Sequence, residues 1–196
     1  MNTFRAFGIG AIAAAGITMA LAAQTPASPD RVTRADFANR VNTYVALKAA
    51  ARQTVLPLVT LDDPAEIRHR TDALATVIRS ARSQARQGDI FTPEIARMIR
   101  RAVRDGCEGD YAALVAVIRE EYDKPMPVPV INGRWPAAVP LPTMLPGLLA
   151  ALPPLPAGLQ YRFMNTALVL LDIDANLIVD FVPEAVPIAT EAHDAH

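Results

Sequence analysis

The chain has 196 residues, 52% of them hydrophobic and 20% charged, with a formal net charge of −1. A chain of this size buries about 70% of its unfolded surface on folding and needs no disulfide staples. Its single cysteine, Cys107, can make no internal bridge, so a disulfide-stapled scaffold is excluded.

Met1 to Arg5 is a short, positively charged start, Ala6 to Leu21 is an uncharged apolar run, and Ala20-Leu21-Ala22 is a small-x-small cleavage site. This is the three-part layout of a secretory signal peptide, predicted here over residues 1–22 with cleavage near Ala22. The run is too short and too rich in Ala and Gly to read as a membrane-spanning helix, which needs about 20 strongly apolar residues. The mature chain, from Ala23, is therefore expected outside the cytoplasm, periplasmic or secreted, with no transmembrane segment after signal cleavage.

Residues 23–32 read as a disordered linker. A single α+β domain is expected over residues 33–187, helical over 33–123, Pro-rich and β over 124–187, with a flexible tail at 188–196. Thr33 with Asp36 approximates a capping box, and Phe37, Val41, Tyr44, Val45 and Lys48 share one helix face. Pro57 stops that helix. Asp63 as N-cap and Pro64 at the first helical position open a second, with Ile67, Leu74, Ile78, Ala81 and Ala85 as its apolar stripe and Gly88 as its C-cap residue. A third helix starts at Thr92-Pro93-Glu94 with Ile95, Met98, Ile99, Ala102 and Val103 inward, and a fourth at Asp110 with Leu114, Val117, Ile118 and Tyr122 on one side.

Ten of the 32 residues from Pro125 to Pro156 are proline, which excludes long helices there. Pro125, Pro127 and Pro129 alternate, so they remove N–H donors from one side of an extended segment. That pattern predicts a protected edge strand pairing through Met126, Val128 and Val130, followed by a turn at Asn132-Gly133. Leu145 to Ala151 has room for one short helical segment before Pro153-Pro154. Tyr161–Phe163, Ala167–Leu171 and Leu177–Phe181 are extended runs joined by short turn-prone linkers, which permit only an antiparallel meander. One face of that meander is expected on the helices, the other under Leu145 to Leu159. The fold class is thus α+β, with about four N-terminal helices packed on a small antiparallel sheet.

Three segments, Arg86-Gln-Gly-Asp-Ile-Phe-Thr-Pro-Glu94, Leu152-Pro-Pro-Leu-Pro156 leading into Tyr161-Arg-Phe163, and Asp174-Ala-Asn-Leu-Ile-Val-Asp-Phe181, resemble a family of uncharacterised, signal-peptide-bearing bacterial proteins with no assigned activity. The resemblance covers roughly residues 33–186 and implies location, not function. The C-terminal part is also loosely similar to the end of periplasmic nickel/cobalt-homeostasis proteins, whose His-rich stretches are absent here.

Charge is uneven along the chain: residues 31–104 hold 14 Arg/Lys against 7 Asp/Glu, residues 105–196 hold 4 against 12. Either the basic half meets an anionic partner or the two halves neutralise each other, and the second reading is favoured. The helix faces Arg79/Arg82/Arg86 and Arg97/Arg100/Arg101/Arg104 could meet phosphates, lipid headgroups or an envelope protein, but solvated faces are the favoured reading. The aromatic interleaving of a nucleic-acid platform is missing. Asp172-x-Asp174-x-Asn176 has the spacing of a calcium loop, yet Leu177 replaces the required Gly and Pro183 the final acid, so these read as turn residues and Asp172→Asn is expected to cost well under about 1 kcal/mol. His193, Asp194 and His196 form a weak metal-binding tail, and His69 reads as a surface histidine. Ser28, Ser80 and Ser83 lie in no nucleophile elbow. Trp135 reads as half-buried packing. The acids beside Cys107 disfavour a reactive thiolate, leaving a free thiol or an intermolecular disulfide open.

No catalytic, cofactor-binding or metal residue is assigned, and no cofactor is expected. The reading is an exported bacterial protein, non-catalytic, acting by binding or envelope contact. A carboxylate-based hydrolase and a periplasmic metal-responsive protein are the rivals.

Overall fold

Helical periodicity and proline placement build the first half of the fold, seen in a computed structural model that describes residues 29–55, 63–106, 114, 116, 127–137, 141 and 144–186. The described residues form four helices and a three-stranded antiparallel sheet, with three of the helices before the strands' half, an α+β protein. The first helix, α1 (Pro29–Thr54), starts four residues ahead of the expected Thr33 cap. Proline suits the first helical turn and Asp30 complements the positive end of the helix dipole, so the start needs no capping box. Asp36 accordingly pairs with Arg40 one turn on, not with a cap N–H. Phe37, Val41, Tyr44, Lys48 and Ala51, spaced by three and four, form the buried face of α1.

The second helix, α2 (Pro64–Ala81), has Asp63 as N-cap, its side chain accepting from the Ala65 N–H at 2.8 Å. It ends at Ala81, not at Gly88. The Arg82 N–H closes the last turn on the Ile78 carbonyl, and the chain then turns so that Arg82 points inward. Of the expected stripe, Leu74 and Ile78 are buried while Ile67 and Ala81 are exposed. Gly88 has φ +93°, a conformation side-chain-bearing residues adopt at a cost, in a loop that meets the last strand. Helix α3 (Pro93–Gly106) buries all five residues expected of it. The helix expected from Asp110 falls outside the described residues, except that Leu114 and Ala116 are helical and Leu114 is buried. The short α4 (Pro146–Ala151) lies against α3 through Leu148.

Strands β1 (Leu159–Met164), β2 (Ala167–Asp172) and β3 (Leu177–Val182) form the meander in sequence order. Asn165 and Asn176, both at positive φ, make the tight connections. A register shift between Leu170 and Leu171 marks a bulge in β3 around Val179. Bulges bend a strand and redirect side chains. Here Val179 joins the helix-facing core and Asp180 reaches the loop of the helical layer.

β2 is buried on both faces. Leu168 and Leu170 join Phe37, Ile78, Phe91, Ile95 and Leu148 on the helical side. The opposite face was expected under Leu145 to Leu159, but Leu148 and Leu152 belong to the helical core, and Trp135 covers Met164, Val169, Leu171 and Ile178 instead. Trp135 is 4% exposed, more deeply packed than half-buried. Its backbone is held near β3 by two bonds, from the Asn132 N–H to the Ile178 carbonyl and from the Ile178 N–H to the Gly133 carbonyl, both 2.8 Å. The turn at Asn132-Gly133 is therefore present, but the edge strand before it is not. Residues 127–130 are irregular, with Val128 75% and Val130 63% exposed while Pro129 is buried. The expected pairing through Val128 and Val130 is not made, and it is Pro129, with no N–H to satisfy, that is buried.

Loss of buried volume on the Trp135 face of the sheet should be visible. Trp135→Ala is expected to cost about 3–5 kcal/mol and Ile178→Ala about 2–5 kcal/mol. Val128→Ala should stay within about 0.5 kcal/mol. Urea denaturation checks this, and equally small losses at all three would mean that Trp135 does not close the sheet.

Candidate functional site

Buried charge in this protein is concentrated where helices meet the β3 end of the sheet. Lys48 stands on the apolar face of α1, buried, and its Nζ lies 2.7 Å from Asp172 Oδ1 and 2.6 Å from Asp174 Oδ2. Asp172 is fully buried. Its other oxygen accepts the Tyr44 hydroxyl at 2.6 Å, and the N–H groups of Asp174 and Ala175 complete the shell. Arg52 pairs with Asp174 at 2.6 Å from the solvent side. Gly158, at φ +83°, presses its backbone against this cluster, where a Cβ would strike the Asp174 carboxylate and the Lys48 ammonium. Asp172 is thus a buried ionic anchor, not a turn residue of little consequence. The cation its spacing suggested is supplied by the protein, as Lys48 and Arg52.

A second buried carboxylate, Asp180, is held by backbone alone. It accepts from the N–H groups of Gly88, Ile90 and Phe91 at 2.8–2.9 Å, and from that of Phe181 at 2.8 Å. Successive N–H groups of one loop converging on a carboxylate make an anion nest, and the anion is this chain's own.

Between the two anchors, α1 and the loop after α2 enclose a cleft of about 300 Å³, lined by Arg40, Tyr44, Leu47, Arg82, Asp89 and Ile90. Arg82 is 8% exposed. Its Nη1 donates to Asn132 Oδ1 and its Nη2 to the Val179 carbonyl, at 2.9 and 2.8 Å, and its guanidinium lies 5.1 Å from the Tyr44 ring centroid. Among the described residues no carboxylate pairs with it directly. Burial pulls the guanidinium below its ordinary range, and Asp180 and Asp89 oppose the shift from a distance. It stays a cation, as arginine does in proteins. Arg40 reaches the same cleft, bonded to Asp36 and to the Asp89 carbonyl. Burial pushes the Tyr44 hydroxyl far above its ordinary range, reinforced by the Asp172 charge it donates to. A second cleft of about 450 Å³, lined by Arg52, Ile67, Arg70, Thr71, Ile173 and Asp174, has its central charges already paired as Arg52–Asp174.

The arginine-rich faces are largely spent inside the fold. Arg79 donates to the Asn132 carbonyl, Arg100 to that of Pro183, and Arg97 and Arg101 pair with Glu94 and Asp30. Arg82 bonds the Val179 carbonyl and Gln87 that of Phe181, so two side chains cap carbonyls of β3. His69, Ser80 and Ser83 are exposed. Cys107, Ser28, His193, Asp194 and His196 lie outside the described residues. Among the described residues no group of three or more His, Cys, Asp or Glu is placed to hold a metal ion, and no helix is long and apolar enough to cross a membrane. The Tyr44–Arg82 cleft was not anticipated. Arg82 belongs in the sequence to an Arg79/Arg82/Arg86 face that could meet an anion, but nothing local shows that it alone of the three turns inward. No family model, curated protein or solved structure matches the chain.

Removing one member of the buried pair strands the other. Asp172→Asn and Lys48→Met should each cost about 3–5 kcal/mol, and the double variant much less than the sum, as read from denaturant unfolding. Additive losses would mean that the pair is not coupled.

Alkali offers a second check. Burial also holds the Tyr161 hydroxyl, bonded to the Pro153 carbonyl, far above its ordinary range. Above about pH 10 the unfolded chain releases phenolic protons that the folded chain keeps, so stability falls as pH rises. Each such tyrosine should steepen that fall by about 1.4 kcal/mol per pH unit. Urea midpoints of Tyr161→Phe between about pH 9 and 11 should decline less steeply than those of the unsubstituted protein; identical slopes would remove Tyr161 from the effect.

Proposed function

We propose that this is an exported bacterial protein that acts by binding and not by catalysis, with the Tyr44–Arg82 cleft as its ligand site. The carrying observation is Arg82, a buried cation facing a cleft and bonded only to neutral acceptors. A charge kept from water without a counter-ion is costly, and a ligand that supplies one recovers that cost. Sites of this kind are concave, mostly apolar and carry a few convergent polar groups, which Leu47, Ile90, Arg40 and Arg82 provide. The carboxylate-hydrolase reading draws no comparable support. A general base needs a free lone pair aimed at a cleft. Asp172 and Asp180 spend theirs on four donors each. Among the described residues Asp89 is the single carboxylate of the cleft lining, with no second one beside it to make an acid–base pair. The calcium-like spacing at Asp172 and Asp174 is taken up by Lys48 and Arg52, and the residues of the metal-responsive reading, His193, Asp194 and His196, lie outside the described residues.

Export rests on the charged start, the apolar run and Ala20-Leu21-Ala22. Intact mass of the protein from its native host should correspond to a chain starting near Ala23, and a chain retaining Met1 that resists washing from membranes would overturn cleavage. For the cleft, a small-molecule screen by thermal melting should find compounds that raise the melting temperature, with amide shifts at Tyr44, Leu47 and Ile90. A ligand at 100 times its Kd adds about 2.7 kcal/mol of stability. Hits that shift only residues remote from the cleft would overturn its assignment.

A further inference from the structure

Resting on that reading of the cleft, we infer that its ligand is a monocarboxylate with an apolar body. The charges lining the cleft set the count. Arg40 is already paired with Asp36 at 3.0 Å, so it offers little net charge. Arg82 is unpaired by any described carboxylate, and Asp89 brings one negative charge, its Oδ2 tied to the Arg86 N–H at 2.8 Å. A dianion would meet Asp89 as well as the two guanidiniums, whereas a single carboxylate can take the Arg82 fork and stay away from it. Two of the five Arg82 N–H donors are engaged, by Asn132 and Val179, which leaves three, Nε–H among them, for charge-assisted bonds to a carboxylate.

The remaining wall decides the body of the ligand. Leu47, Ile90 and the Tyr44 ring are apolar, and the Tyr44 hydroxyl is turned away to Asp172, so this part of the cleft offers no donor to a polar substituent. The cation itself is held in place from three sides, by Asn132, by Val179 and by the ring it stacks on. A ligand therefore meets a pre-positioned charge and does not have to order a flexible one, which favours affinity for a small molecule. Such a carboxylate could come from a simple organic acid or from an apolar amino acid, whose ammonium group would be placed toward Asp89.

Titration of the purified protein with phenylacetate, followed by calorimetry and by ¹H–¹⁵N spectra that include the arginine Nε–H region, tests this. Saturable binding is expected, with the Arg82 Nε–H moving, and neutral phenylacetamide should bind at least about tenfold more weakly because it lacks the charge-assisted pair. L-Phenylalanine in a third arm separates the sources: tighter binding than phenylacetate points to an amino acid, weaker binding to a simple acid, and both agree with the inference. Arg82→Lys should weaken phenylacetate by about tenfold or more, since an ammonium cannot reproduce the fork. If that variant does not fold, raising the salt concentration on the unsubstituted protein should weaken phenylacetate and leave phenylacetamide unchanged. Equal binding of acid and amide, or no binding of phenylacetate at about 10 mM, would overturn the inference. Shifts in the cleft from a neutral or cationic compound alone would overturn the carboxylate and keep the cleft, whereas the absence of any compound that moves cleft residues would remove both.

Discussion

The contact between Lys48 and Asp172 is the constraint around which the rest of the fold is arranged. Taking an ammonium and a carboxylate out of water costs several kcal/mol each, so the pair persists only with near-complete hydrogen bonding. That is what Tyr44, Asp174 N–H, Ala175 N–H and the Gly158 carbonyl supply. The same requirement fixes geometry. Sliding α1 by one residue would rotate Lys48 by about 100° and leave two charges buried apart. A greasy stripe on a helix tolerates small slips, and a buried ion pair does not. The helix of one half and the β2–β3 turn of the other are therefore locked in a single register, with Phe37, Val41 and Ala51 packing on either side of the lock.

Asp180 repeats the same logic at the other end of β3. Its nest of N–H groups ties the loop before α3 to the strand, and the bulge at Val179 is what lets the carboxylate reach that loop. The uneven charge along the chain becomes intelligible at these two points. Lys48 and Arg52 of the basic half meet Asp172 and Asp174 of the acidic half, and Arg82 and Arg100 meet carbonyls of β3 and the residue just beyond it. Much of the asymmetry is thus an internal interface. Of the arginines bonded only to neutral acceptors among the described contacts, Arg82 is the buried one, and it lies at a cleft.

Much of the helical half could be read from periodicity, because α3 and the inner face of α1 obey one dominant rule, burial at spacings of three and four. The Asp63-Pro64 helix start was legible for an equally local reason: a cap and a proline act on adjacent backbone. The errors arose where a distant partner decided the outcome. Gly88 looks like a helix end until Asp180 claims its N–H. Val128 and Val130 look like strand residues until Trp135 occupies the face they would have covered. Asp172 looks like any turn aspartate, and nothing local distinguishes it from Asp174 although one is fully buried and the other is not. Two of the three segments that stand out in the sequence are partners in space, Gly88, Ile90 and Phe91 of the first holding Asp180 of the third, while within the second Tyr161 donates to the Pro153 carbonyl. What makes them distinctive is the demand of a buried polar contact on both of its ends, which says nothing by itself about a ligand.

That distinction locates the functional reading. Tyr44 is shared between the two kinds of site: its hydroxyl completes the Asp172 anchor, while its ring face supports the Arg82 guanidinium at the cleft wall. A wall fastened this way cannot relax toward an incoming molecule, nor can it collapse onto the empty cleft, because either movement would break a hydrogen bond to a buried carboxylate. The neighbouring Phe37–Phe91 stack, with ring planes 9° apart, fastens the α1 side to the loop in the same manner. The same contacts that force α1 into register also hold one buried cation at a fixed place in the cleft wall, with apolar surface beside it, and a charge held in place is what the proposed recognition of a small ligand would draw on.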